Sequence, residues 1–132
     1  MYLLDTDIII YFLKGVPEVI RNVEAHTVDP KALSAVTYGE LVFGAMKSSR
    51  PIENMAKVRR VTELFPVIDA SRAILETFGT IKADIEKRGK RIDDFDLLIA
   101  ATALYLNYTV ATNNEKHYQD VQGLSVKNWA KA

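Results

Sequence analysis

The chain has no cysteine, an absence that removes disulfide scaffolds, thiolate metal sites and cysteine nucleophiles together. It also lacks an excess of either charge, since 17 Lys and Arg balance 17 Asp and Glu. No global field steers it towards nucleic acid, so any nucleic-acid surface must come from local clustering. No apolar run approaches the roughly 20 residues a membrane helix needs, because Asp5 and Asp7 interrupt the longest one. The N-terminus lacks the basic start and small-residue cleavage site of a secretory signal. The expectation is a soluble, cytoplasmic protein. Glycine and proline are few and scattered singly, with no linker, repeat or low-complexity tract. Residues 1–132 read as one domain, long enough to bury roughly two thirds of its unfolded surface.

What is present begins at the first seven residues. The apolar, strand-forming run Met1-Tyr2-Leu3-Leu4 ends in Asp5-Thr6-Asp7, then apolar sequence resumes as Ile8-Ile9-Ile10. A strand that delivers acids at its C-terminal end is how an open α/β sheet builds a site in the crevice beyond its strands. Burying such acids costs several kcal/mol unless they are paired or metal-bound. Periodicity then predicts helices over 7–14, 19–25, 37–47, 52–64, 70–88 and 97–106. Short strands are predicted over 32–35, 65–68, 108–111 and 124–126. Strands alternating with helices predict an α/β sandwich, a largely parallel central sheet flanked by helices.

Two more acids stand where acids are costly. Glu40 has Val36 one helical turn behind it and Phe43 one turn ahead, which sets its carboxylate on or beside an apolar face. Asp96 opens the most apolar helix in the chain, where the helix dipole favours an anion by roughly 0.3–1 kcal/mol. Each has a plain structural alternative: Asp93 or Asp96 as a helix cap, Asp7 as the cap after the first strand, Glu40 snorkelling to solvent. If Asp5, Glu40 and Asp96 converge, their repulsion raises their pKa values unless a cation neutralises them. With no thiols, the ligands are hard oxygens, which select Mg²⁺ or Mn²⁺ over zinc. A carboxylate-held divalent ion in a sheet crevice suits phosphoryl chemistry. Thr112-Asn113-Asn114 follows a predicted strand and faces the same crevice, or is simply a polar turn.

These motifs together resemble the PIN-domain ribonucleases, specifically the VapC-type toxins of bacterial toxin–antitoxin pairs. The matching segments are Leu4-Asp5-Thr6-Asp7, then Leu33 to Thr37 running into Glu40-Leu41 and Gly44, then Asp96 to Ala101. Thr112-Asn113-Asn114 with Tyr118, Gly123-Leu124 and Asn128-Trp129 completes them. The resemblance implies a PIN-like three-layer sandwich, with metal-binding acids at Asp5, Glu40 and Asp96 and Mg²⁺ or Mn²⁺ as cofactor. It implies metal-dependent endonucleolytic cleavage of structured RNA such as tRNA, leaving 5′-phosphate and 3′-hydroxyl ends. Thr6 and Thr112 would orient water or the acids. Where family members carry a further acid, this chain offers amides, with Asn114 the best match and Asp7 a possible replacement for the missing charge.

RNA contact requires cations at the rim of an acidic cleft. The candidates are Lys87, Arg88, Lys90 and Arg91, although Asp84 with Arg88 and Glu86 with Lys90 are also ordinary helix i,i+4 pairs. His26 and His117 read as surface or loop residues, and Trp129 as packing. The resemblance further implies a cognate VapB-type antitoxin, seated in a groove among Ile9, Tyr11, Phe12, Leu41, Phe43 and Met46, and a toxin homodimer. Two other readings compete. A strand followed by Asp-x-Asp also suits haloacid-dehalogenase-like phosphatases, and the other alternative is a catalytically weak PIN domain that only binds RNA or antitoxin.

Overall fold

A computed structural model of the chain describes residues 1–131. Strand β1 (Tyr2–Leu4) leads into α1 (Thr6–Leu13), and Asp5 caps that helix by accepting the Thr6 N–H on Oδ1 at 2.8 Å. Helix α1 stops at Gly15, whose φ of 75° suits a residue without a Cβ. Pro17 then starts α2 (Pro17–Ala25), because a proline at the first helical position gives up no hydrogen bond. Strand β2 (Lys31–Ser34) runs into α3 (Ala35–Lys47), which Ser34 caps through the Thr37 N–H at 3.1 Å. Next come α4 (Pro51–Leu64), β3 (Val67–Ile68) and α5 (Arg72–Lys87). Helix α6 (Asp94–Leu106) is capped by Asp93 and followed by β4 (Thr109–Thr112), a single 3-10 turn (Glu115–His117) and β5 (Val126–Asn128).

The five strands pair in the order β3-β2-β1-β4-β5, every pair parallel. Alternation along the strands divides the core in two. Leu4, Leu33 and Ala111 face helices α1 to α4, packing with Ile8, Val19, Leu41, Val58 and Val61. Leu3, Ala32 and Val110 face the other way, onto Ile85 of α5 and Leu97, Ala100 and Ala103 of α6. The result is the expected three-layer sandwich. The chain adds β2 and β3 on one side of β1, then returns to place β4 on the other. The topological switch point therefore lies between β1 and β4, where a parallel sheet opens a crevice at its carboxyl ends.

Element boundaries move by up to three residues from the sequence reading, each for a local reason. Helix α6 begins at Asp94 rather than Leu97, since the Asp93 cap adds a polar first turn ahead of the apolar run. The predicted strand over 65–68 shrinks to Val67–Ile68 because Phe65 closes α4 and Pro66 has no N–H to give the ladder. Strand β5 starts at Val126, not Leu124, because its register is set by pairing Val110 with Val126 and Thr112 with Asn128.

Candidate active site

Three strand ends build the cleft. Asp5 follows β1 directly, Ser34 ends β2 and Thr112 ends β4, so all three sit at the carboxyl edge of the sheet. Asp5 is buried, and its carboxylate is held on both oxygens. Oδ1 accepts the Thr6 N–H, while Oδ2 accepts the hydroxyls of Thr112 and Tyr118, each at 2.8 Å. Tyr118 is itself buried, and burial together with the nearby Asp5 charge pushes its hydroxyl far above the ordinary tyrosine range. It is therefore a permanent donor.

Glu40 enters from α3. Its Oε1 accepts from the Thr6 hydroxyl at 2.8 Å, and that hydroxyl stands 3.0 Å from Thr37, which in turn stands 3.3 Å from Ser34. A carboxylate accepts only, so the single Thr6 proton goes to Glu40 and the protons of Thr37 and Ser34 point the same way along the chain. Thr6 thus ties α1 to α3 at the cleft and fixes the Glu40 head group. The expectation of a Glu40 snorkelling to solvent gives way to a half-buried, hydrogen-bonded one.

Asp96 lies in the first turn of α6, half-buried, with His117 Nδ1 3.1 Å from its Oδ2. Burial first, and then the charges of Asp5, Asp93 and Glu40, push Asp96 up to about 6 against a pull in the other direction from His117. Asp5, Glu40 and Asp96 therefore share one electrostatic neighbourhood. Asp7 belongs to it too: burial and Asp5 push it to about 6. Its Oδ2 accepts the Asn113 N–H at 3.1 Å and the Asn114 Nδ2–H at 2.9 Å, while its Oδ1 is buried with no partner. Asn114 accordingly holds Asp7 rather than standing among the other acids.

Among the described residues, no three His, Cys, Asp or Glu side chains form a ready-made metal shell. The donor chemistry nonetheless fits a hard divalent ion. Carboxylate oxygens dominate, burial and then mutual repulsion raise Asp7 and Asp96, and Asp7 Oδ1 lacks a donor. All three mark a place short of positive charge, the condition in which acids recruit a cation. The acids reach the cleft from the end of β1, from α3 and from α6.

Three participants escaped the sequence reading. His117 reads there as a loop residue, yet it touches Asp96. Tyr118 was only part of a motif, yet it holds Asp5. Ser34 reads only as part of the strand over 32–35 and Thr37 as a helix start, with no signal that their hydroxyls form one line. His26 is not a bare surface residue either, for it stacks on the buried Trp129 with centroids 5.0 Å apart and pairs with Asp29. Of the four cations proposed for RNA, Arg88 pairs with Asp84 as expected, but Lys90 pairs with Asp120 rather than Glu86. Arg91 lines a small cavity with Lys82, Glu86, Asp93 and Asp94. A second cavity, about 340 Å³, is lined by Ile10, Leu41 and Val58 together with Lys14, Lys57 and Glu40. Ile9, expected in such a groove, is instead wholly buried core, whereas Phe43 and Met46 are exposed.

Carboxylates gathered at the switch point of a small parallel sheet have the layout of an α/β nuclease cleft. Comparison with known proteins agrees. The PIN domain family matches residues 2–123. The tRNA(fMet)-specific endonuclease VapC of Shigella flexneri is 30% identical, the alignment covering 98% of each chain. Ribonuclease VapC2 of Haemophilus influenzae is 33% identical over 97% of each. Among solved structures, VapBC2 from Rickettsia felis bound to a DNA fragment from its promoter superposes with a TM-score of 0.91 at 30% identity, over 97% of this chain and 98% of that one. The chain belongs to the PIN-domain family, among its VapC-type ribonucleases. The phosphatase alternative has no support in the fold or in these relatives.

Proposed function

We propose that this protein is the toxin of a type II toxin–antitoxin pair, a divalent-metal-dependent endoribonuclease that cleaves structured RNA such as tRNA and so halts translation in the bacterial cytoplasm. The observation that carries the reading is that Asp5, Glu40 and Asp96 share one cleft, in which burial first, and then charges that include Asp5 and Glu40, raise Asp96. Asp5, Asp96 and Glu40 would hold Mg²⁺ or Mn²⁺. Such an ion neutralises phosphate charge and acidifies water. The protein's own contribution is orientation. Thr112 and Tyr118 fix Asp5, Thr6 fixes Glu40, and Asn113 with Asn114 fixes Asp7. Lys87 and Arg91 are the more available of the four proposed RNA cations, since Arg88 and Lys90 already have acidic partners.

The partner reading rests on the relatives, whose solved form includes the VapBC2 assembly of Rickettsia felis. A VapB-type antitoxin would seat an apolar segment in the groove that Glu40 helps to line, closing the cleft, and the toxin would pair as a homodimer. The test is cleavage of total bacterial RNA by the purified protein with Mg²⁺ or Mn²⁺ against EDTA, beside Asp96→Asn. Discrete fragments that require metal and vanish in the variant are expected. Absence of cleavage under every metal condition overturns the nuclease reading and leaves a domain that only binds.

A further inference from the structure

One segment of the chain serves several acids of the cleft. Thr112 and Tyr118 donate to Asp5, the Asn113 N–H and Asn114 Nδ2–H donate to Asp7, and His117 meets Asp96. Among the described residues, His117 is the only side chain paired with the Asp96 carboxylate. Nδ1 stands 3.1 Å from Oδ2, an ion pair when the imidazole is protonated. We propose that His117 is a positioning residue for Asp96, restricting the rotation of its carboxylate at the cleft; this rests on the nuclease reading above.

Packing does not explain His117, because its side chain is 52% exposed. Its backbone, by contrast, is pinned on every side. The next residue, Tyr118, is buried and anchored on Asp5, and Asn114 at the start of the turn is anchored on Thr112 and Asp7. Behind the turn, Arg88 Nη2 donates to the Asp120 carbonyl at 2.6 Å and Lys90 Nζ to its Oδ1 at 2.8 Å. Two cations on the α5–α6 connection thus clamp the loop that presents His117. An imidazole on a short, triply anchored turn has little freedom to leave Asp96, whereas Asp96 alone in a first helical turn is free to rotate. Outer partners of metal-binding carboxylates act in this way, and their loss costs roughly 10–100-fold in metal affinity or activity.

The test compares His117→Ala, which deletes the imidazole, with His117→Asn, whose Nδ2–H group can take the place of Nδ1 beside Asp96. Cleavage kinetics on an RNA fragmented by the parent protein are read together with Mn²⁺ affinity measured by calorimetry without RNA. Expected for His117→Ala is a loss of about 10–100-fold in kcat with KM little changed, and a comparable loss in Mn²⁺ affinity. His117→Asn should restore most of both, and the thermal midpoints of all three proteins should coincide. A raised KM with kcat and Mn²⁺ affinity intact in both variants would overturn the proposal, making His117 an RNA contact instead. Parent-like kinetics and affinity in His117→Ala would overturn it outright. Should the parent cleave no RNA, the nuclease reading fails on its own, and the Mn²⁺ comparison still decides whether His117 positions Asp96.

Discussion

Single residues in this cleft do opposite things to stability and to chemistry, and Asp7 is the clearest case. Its carboxyl is raised to about 6 by burial and by Asp5, and one of its oxygens is buried without a donor. At neutral pH the folded state therefore holds a charge the unfolded chain holds more comfortably. Asp7→Asn should raise the thermal midpoint of the metal-free protein at pH 7.5, by something on the order of 1 kcal/mol after allowance for solvent screening. The gain should fade towards pH 4, where the parent's carboxyl is also neutral. Melts of both proteins in EDTA at the two pH values check this, and an equal or lower midpoint for the variant at pH 7.5 would refute it. Tyr118→Phe tests the reverse case. It leaves Asp5 Oδ2 with the Thr112 hydroxyl alone, so stability should fall by about 1 kcal/mol as one hydrogen bond is lost. RNA cleavage should fall with it, because Asp5 is then free to turn; urea titration and cleavage rates on the same preparation give both numbers.

Elements carry most of what could be read in advance. Helix α6 announced itself by an apolar run with no polar face, and its buried Leu97, Ile99, Ala100, Ala101 and Ala103 account for that pattern. Strands β1, β2 and β4 were legible because each is a short apolar run broken by a polar residue, and those breaking residues, Asp5, Ser34 and Thr112, are the ones at the cleft. The 3-10 turn was not legible. Glu115-Lys116-His117 has no periodicity, and its fold is imposed through its flanks: Asn114 on Asp7, Tyr118 on Asp5, and Asp120 under Arg88 and Lys90, with partners as far as 113 positions apart in sequence. Contacts between remote polar residues leave no local pattern, so the acids were legible and their partners His117 and Tyr118 were not. Helix α3 illustrates what remains unoptimised. Gly39 lies in its interior with φ in the ordinary range, and a Cβ placed there meets nothing within 4 Å. Gly39→Ala should stabilise the protein by about 0.5–1 kcal/mol through helix propensity alone, read as a higher urea midpoint at unchanged slope. A destabilised variant would show that Gly39 makes a close approach in solution that the folded chain by itself does not contain.

At the scale of the whole molecule, folding assembles like charges. Asp5, Glu40 and Asp96 come from the beginning, first third and last third of the chain, and the parallel sheet brings them to one edge against their repulsion. The two apolar layers supply the driving force, so the cleft is a local cost carried by a core elsewhere. That cost depends on pH with a definite sign. Asp7 and Asp96 both rise from an unfolded value of 3.8 to about 6, so between those limits the folded state binds more protons than the unfolded one. Stability must then fall as pH rises through that window, opposite to the usual behaviour of paired carboxylates. A divalent ion held by the deprotonated acids of the folded state, and not by the dispersed acids of the unfolded one, would restore what the rise in pH removes. In EDTA, the thermal midpoint should therefore be higher near pH 5 than at pH 7.5. Added Mn²⁺ should raise the midpoint strongly at pH 7.5 and much less at pH 5, where protons compete for the same oxygens. Asp96→Asn should flatten both dependences, because it removes one of the two shifted groups and a ligand at once. A midpoint in EDTA that climbs from pH 5 to pH 7.5 would mean that the acids are already neutralised by the protein itself, and the case for a cation in this cleft would fall with it.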